Sequence, residues 1–291
     1  MKHGSLGVWF STNGLNTAEL VELAQAVEKG GYETLWYPEA LAYEAMSLGS
    51  FLLSQTSRLK LATGIANIYA RDGMAAVAGH DGLNKIYGGR FTLGLGVSHK
   101  PMVSGRRNQS YGKPLTAMRE YLEGMEKAGL DPKFALDDRN VVLAALGPKM
   151  LELARDRTKG ALPYNVTPEH TAMAKDILGP DRLLCVEQKI CLTTDASAAR
   201  ASAKRNMKRY MPLPNYYNNW LRLGFSESEL ADGGNDRFLD AMVAWGSEAQ
   251  IRERIDAHFA AGATHVCIQP LRPDDSWAPC YRAIKAFAPG R

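Results

Sequence analysis

Short apolar runs alternate with amphipathic stretches along nearly the whole chain. Leu6-Gly7-Val8-Trp9-Phe10 has the length and apolar character of a buried strand, and the turn-prone Ser11-Thr12-Asn13-Gly14 closes it. Asn16, with Glu19 three residues on, has the spacing of a capping box, in which two helix-end amides are satisfied reciprocally. Leu20, Leu23, Ala24 and Val27 then recur at i, i+3, i+4 and i+7, giving one apolar helical face up to Gly30-Gly31. The unit repeats. A strand at 34–37 stops at Pro38 and precedes a helix within 41–57, and a strand at 59–65 precedes a helix at 74–87. Residues 91–97 form a fourth strand, followed by a helix at 114–127 that carries Pro in its first turn. The fifth strand, 141–145, leads to a helix from Pro148. The sixth, 160–164, is weak because Pro163 lacks the N–H that a ladder requires. After the seventh strand, 183–193, one long helical stretch at about 195–245 precedes the helix 247–261 and the eighth strand, 264–268.

Eight strands alternating with helices predict an α/β fold, a parallel (β/α)8 TIM barrel spanning residues 1–291 as a single domain, with extra helices between strands seven and eight. Trp220, Leu221, Leu223 and Phe225 predict that this insertion packs on an apolar surface. An open doubly wound sheet is the competing architecture, but no strand-to-helix turn carries G-x-G-x-x-G. Gly94 and Gly96 instead alternate inside an apolar strand, where they relieve crowding. A net charge of +4 is too small to indicate a nucleic-acid partner. No apolar run approaches the ~20 residues of a membrane span. Met1-Lys2-His3-Gly4-Ser5 leads into the first strand without a signal core, so a cytoplasmic protein with neither membrane nor nucleic-acid partner is expected. Cys185, Cys191 and Cys267 fall in apolar strands, and no cysteine, Cys280 included, has zinc-site spacing; the thiols are expected reduced, with no metal.

Chemistry in a parallel barrel sits at the carboxyl ends of the strands. That rule selects Ser11, Thr12 and Asn13, then Glu39, Ala66, Asn67, Ser98 and His99, and further along Gly147, Lys149, Asn165 and Gln269. Glu39 follows the rigid Trp36-Tyr37-Pro38 exit. A partly buried carboxylate there acts as proton donor or hydrogen-bond acceptor, or else pairs with a basic residue or caps the next helix. Leu146-Gly147-Pro148-Lys149-Met150 predicts an anion site, because Gly147 permits close approach and Pro148 suits the first helical position. The helix dipole and the amides near Lys149 then favour negative charge. A second anion-ready loop is Gly96-Val97-Ser98-His99-Lys100, followed by Arg106-Arg107. Together they point to a phosphate-bearing or acidic ligand across the barrel top. His80 and His258 lie in helices as packing or surface residues, and His3 and His170 have no metal-spaced partner. Hydrolase, phosphate-loop and metalloprotease motifs are missing, which leaves the hard step to a bound organic cofactor.

Two segments carry a family likeness. Leu61-Ala62-Thr63-Gly64-Ile65-Ala66-Asn67-Ile68-Tyr69-Ala70-Arg71 and Gly88-Gly89-Arg90-Phe91-Thr92-Leu93-Gly94-Leu95-Gly96-Val97-Ser98-His99 resemble the bacterial luciferase-like superfamily of flavin and deazaflavin enzymes. Tyr111-Gly112-Lys113-Pro114-Leu115, Met118-Arg119-Glu120-Tyr121-Leu122 and Ala145-Leu146-Gly147-Pro148-Lys149-Met150 resemble its coenzyme F420-dependent branch. The likeness covers essentially the whole chain. It implies an oxidoreductase that passes hydride between the deazaflavin C5 and a small organic substrate. The alternatives are an FMN-dependent monooxygenase and a non-catalytic deazaflavin-binding protein. It further implies a cofactor ring at the barrel mouth, backed by a bulge beside Asn67 with a non-prolyl cis peptide within Gly64-Ile65-Ala66. Phosphate contacts would fall at Val97, Ser98 and His99 and at Gly147, Pro148 and Lys149, with Asn165 on the cofactor side and Lys100, Arg106 and Arg107 meeting an acidic tail. Relatives are often dimers, so a homodimer is expected. One position departs from the pattern: many deazaflavin relatives place His after the acidic residue that follows strand two, whereas here Ala40 follows Glu39, leaving Glu39 as the catalytic candidate.

Overall fold

All strand pairings are parallel, and they close on themselves. The computed structural model describes residues 5–274 and 276–289, so His3 and the rest of the amino-terminal expectation lie outside the described residues. The strands are β1 (Ser5–Trp9), β2 (Thr34–Tyr37), β3 (Lys60–Thr63), β4 (Ala66–Asn67), β5 (Phe91–Gly96), β6 (Val141–Leu143), β7 (Gly160–Ala161), β8 (Leu183–Cys191), β9 (Val243–Trp245) and β10 (His265–Leu271). Pairing runs β10-β1-β2-β3-β5-β6-β7-β8, and β8 pairs with β10 to complete the circuit. With β3 and β4 as two halves of one stave, this is the eight-stranded barrel predicted from the sequence.

Three features go beyond the strand pattern. The third strand breaks at Gly64-Ile65, whose peptide bond is cis, within the segment where the family likeness implied it, and resumes as β4 against β5. The sixth strand is only two residues long. The Pro163 carbonyl still accepts the Glu187 N–H at 3.3 Å, but the chain then leaves the sheet at Asn165, where φ is +58. That departure exposes the upper edge of β8, and the third feature follows from it. Residues 195–245 are not all helical, because Val243–Trp245 pairs with Lys189–Cys191 on the vacated edge.

Inside the barrel, Trp9, Trp36, Ala62, Val142, Leu162, Cys185 and Cys267 form one buried cluster in which tryptophans face small or branched residues. The helices seal the outside. Asn16 and Glu19 form the capping box, and Leu20, Leu23, Ala24 and Val27 are buried. His258 is fully buried between Thr171 Oγ1 at 2.8 Å and Gln188 Oε1 at 2.9 Å. Burial pulls its pKa down to about 3, so it stays neutral. The insertion helices Ala196–Met207, Pro214–Arg222 and Asp236–Met242 build a second apolar core around Trp220, Phe225 and Phe238, closed against Cys191 and Leu271 at the ends of β8 and β10. They therefore sit on the carboxyl end of the barrel. Among the described residues no helix is long and apolar enough to cross a membrane, and no His/Cys/Asp/Glu group could hold a metal.

The break in the third stave also explains Gly94. Gly94 donates its N–H to Thr63 Oγ1 at 2.9 Å, and that hydroxyl donates to the Gly94 carbonyl at 2.9 Å. A Cβ on Gly94 would lie 2.0 Å from the Thr63 carbonyl oxygen. Gly94→Ala is therefore expected to destabilise by roughly 3 kcal/mol, as overpacking against backbone does. Gly82→Ala, in a helix interior with nothing within 4 Å of the added carbon, is expected to stabilise by about 0.5–1 kcal/mol. Urea unfolding of the two variants checks the contrast.

Candidate active site

The bulge is held from β2. Gly64 N–H donates to the Tyr37 carbonyl at 2.8 Å, and Glu39 N–H donates to the Ile65 carbonyl at 2.9 Å. The Glu39 carboxylate then accepts the Asn67 N–H at 2.8 Å on one oxygen and the Ala45 N–H at 3.2 Å on the other. Arg71 completes the set with a short ion pair to Glu39, and its Nη2 also reaches Glu44 at 2.7 Å. The Glu39 side chain is 3% exposed and that of Arg71 9%. Of the alternatives for Glu39, the geometry is that of a carboxylate paired with a basic residue and bonded to the next helix. Glu39 turns into the seam between β2 and the bulge, where it grips backbone 64–67 from both sides, pairs with a basic residue and bonds to the head of the next helix. Trp9 fixes the opposite side by donating its Nε1–H to the Gly64 carbonyl at 3.0 Å.

Of the remaining predicted residues, His99, Asn165 and Gly147 meet one crossing helix. Gly64, Ile65, Val97, Ser98 and His99 are half-buried, and Ala66 and Asn67 are buried beneath them. Ile65 packs over Gly96, where a Cβ would meet it at 2.7 Å, so the second glycine of the strand also answers to crowding. Ser98 and Asn165 are two of four non-glycine residues with positive φ among the described residues. Such conformations persist only where the surroundings impose them. The Pro214–Arg222 helix spans this region: Tyr216 lies 5.7 Å from the His99 ring, and Trp220 donates its Nε1–H to the Asn165 carbonyl at 3.2 Å. At the start of the Pro148–Arg157 helix, Gly147 provides no side-chain cap, and Pro148 and Lys149 are exposed. Lys100 and Arg106 are exposed on the segment after β5, and Arg107 is half-buried there.

Sequence reading missed the centre of the mouth. Glu187 and Lys189, two apart on β8, both face inward and pair at 3.1 Å with essentially no exposure. Lys189 also bonds to Asn165 Oδ1, and its ammonium lies 3.8 Å from the Tyr164 ring centroid. Burial pulls Lys189 down to about 8 and pushes Glu187 up, while their attraction opposes both. Tyr164 donates to Gln269 Oε1 at 2.8 Å and lies 2.9 Å from the Tyr210 hydroxyl, so an aromatic wall of Trp9, Tyr164, Tyr210 and Tyr216 crosses the top. Beyond the wall, a cleft of about 520 Å³ opens between the ends of β1 and β10, lined by Ser11, Asn13, Asn206, Arg209, Tyr210 and Gln269 among others. Of the residues selected from strand ends, Ser11, Asn13 and Gln269 line this cleft, and the cofactor-side residues do not. The three consecutive polar residues Glu187-Gln188-Lys189 inside an apolar strand were the available signal for the pair.

Arg71→Met strands the buried Glu39 carboxylate and is expected to cost about 3 kcal/mol, whereas Glu39→Gln leaves Arg71 paired with Glu44 and should cost less. The double variant should cost clearly less than the sum. Additive losses in chemical denaturation would contradict the coupling.

Comparison with known proteins adds a family context. The profile of the luciferase-like monooxygenase family matches residues 4–265. A Mycobacterium tuberculosis protein assigned as a coenzyme F420-dependent oxidoreductase is 26% identical over 92% of this chain and 94% of its own length. The 5,10-methylenetetrahydromethanopterin reductase of Methanolobus tindarius is 28% identical over 88% of this chain and 91% of its own. Among solved structures, the coenzyme F420-dependent tetrahydromethanopterin reductase of Methanopyrus kandleri superposes with a TM-score of 0.78 at 18% identity, covering 99% of this chain and 98% of that one.

Proposed function

Because this chain belongs to the luciferase-like monooxygenase family, we propose that it is a coenzyme F420-dependent oxidoreductase that exchanges hydride with a small organic substrate. The observation that carries this reading is the convergence of a clamped backbone bulge with two flanking loops suited to anions. Relatives with F420 chemistry in their names, matched along nearly their whole length, support it. The residues fit such a cofactor. The bulge and the 97–99 loop keep a partly open face, the 147–149 helix start lacks a cap, and the following segment is basic.

Bound there, the deazaflavin supplies or accepts a hydride. The protein's part is positional. Backbone 64–67 backs the ring, held by Glu39, Arg71 and Trp9. Val97, Ser98 and His99, with Gly147, Pro148 and Lys149, hold phosphate, and Lys100, Arg106 and Arg107 meet an acidic tail. Asn165 anchors Lys189 through Oδ1 and keeps an unpartnered donor, Nδ2. The cleft beside Trp9 and Gln269 seats the substrate; its volume falls within the range of small-molecule sites, about 300–1,000 Å³. Glu39 acts through the bulge as a positioning residue.

Fluorescence titration of the purified protein is expected to give micromolar binding of F420 and no comparable binding of FMN; the reverse order would overturn the reading. In the same role, Glu39→Gln should weaken F420 binding while the pH profile of turnover at saturating cofactor stays put. A shifted profile would make Glu39 a proton donor.

A further inference from the structure

The Pro214–Arg222 helix carries Asn215, Asn219 and Arg222 at i, i+4 and i+7, so the three lie on one face. That face meets the cofactor-side loops in order. Next to Asn215, the Tyr216 ring lies 5.7 Å from the His99 ring, and burial of that imidazole favours its neutral form. Asn219 is 1% exposed; its Oδ1 accepts from Arg222 Nη1 at 2.9 Å, and its Nδ2 has no partner. Arg222 Nη2 lies against Gly147, where a Cβ would stand 3.9 Å away, and no carboxylate pairs with Arg222 among the described residues. Opposite stands the Pro148–Arg157 helix, ten residues long, whose first turn has no side-chain cap and no acidic residue. A buried donor left unpaired is unfavourable unless something fills it. The bonded neighbour of Asn219 is the Arg222 guanidinium, whose other nitrogen reaches the positive end of that helix at Gly147. All three elements favour an oxyanion.

We propose that Asn219 Nδ2, Arg222 and the head of the Pro148–Arg157 helix form a clamp for a phosphate group, with the Tyr216–His99 ring contact and the Trp220–Asn165 bond fixing the angle of the crossing helix. This rests on the cofactor reading above, in which the group is the phosphate of the F420 side chain. Free phosphate would satisfy the same donors. The planar fork of Arg222 suits two phosphate oxygens, which a lysine would not reproduce. The clamp also gives the β8–β10 insertion a role: Trp220, tied to the Asn165 carbonyl and packed on Phe238, holds the helix in place while its polar face reads the tail.

The test is equilibrium binding rather than turnover. Wild type, Arg222→Gln and Asn219→Leu are titrated with F420, with the same deazaflavin lacking phosphate and glutamate tail, and with inorganic phosphate as competitor. Wild type should prefer F420 over the tail-less chromophore, and phosphate should compete with F420 alone. Arg222→Gln should weaken F420 about tenfold or more, as loss of a charge-assisted contact does, and leave the tail-less chromophore unchanged. Equal F420 affinity in wild type and both variants would overturn the clamp. So would parallel loss of both ligands in Arg222→Gln, which is surface-placed and serves as the reference if Asn219→Leu fails to fold. A wild type that binds both chromophores equally would remove the clamp and leave the cofactor reading standing. A wild type that binds neither would remove the cofactor reading itself, and the clamp with it.

Discussion

The candidate site depends on one buried ion pair. Arg71 neutralises Glu39, and the neutralised carboxylate spends its remaining acceptor capacity on the backbone N–H groups of Asn67 and Ala45. Where β3 gives way to β4, the ordinary ladder between staves is interrupted, and side chains replace it. Glu39 does so toward β2, Thr63 toward β5 and Trp9 across the barrel interior. A backbone held on three sides cannot relax toward a regular strand. The cost of burying the charges is met by hydrogen bonds on both carboxylate oxygens, which is the condition under which a buried pair is tolerated. This gives a rigid, half-open surface at the barrel mouth on the side where the family likeness places a flat cofactor.

The same economy runs through the rest of the mouth. Because β7 stops after two residues, Asn165 swings into a left-handed conformation and presents its carbonyl to Trp220 and its amide oxygen to Lys189. The insertion is thereby fastened to the barrel at the point where the sheet is thinnest, and β9 covers the edge that β7 leaves open. Tyr164 and Tyr210 stand against the Lys189 ammonium, and a cleft of substrate size opens beyond them.

Most of the barrel was legible because burial on both faces makes parallel strands read as short apolar runs, and capping chemistry marked the first helix. The breaks were harder to see. Nothing in Thr63-Gly64-Ile65-Ala66 separates a bulge from a continuous strand by periodicity; the family likeness, not the pattern, pointed there. Val243–Trp245 was absorbed into a helical stretch because a strand that fills a vacated edge needs only three residues and is specified by its partner. Glu39 was found by position with its role left open, since the identity of its partner, Arg71, depends on a loop 32 residues away. Asn219 and Arg222 were invisible for the same reason: their meaning arises only when the insertion folds back over Gly147.

The most direct test of a site that borrows its reactivity from a deazaflavin seated on this bulge is the visible spectrum of protein purified from a deazaflavin-producing host. The account predicts a co-purifying absorption band at roughly 420 nm, the wavelength in the cofactor's name. A flavin spectrum, or protein that emerges colourless after purification with excess deazaflavin, would contradict it.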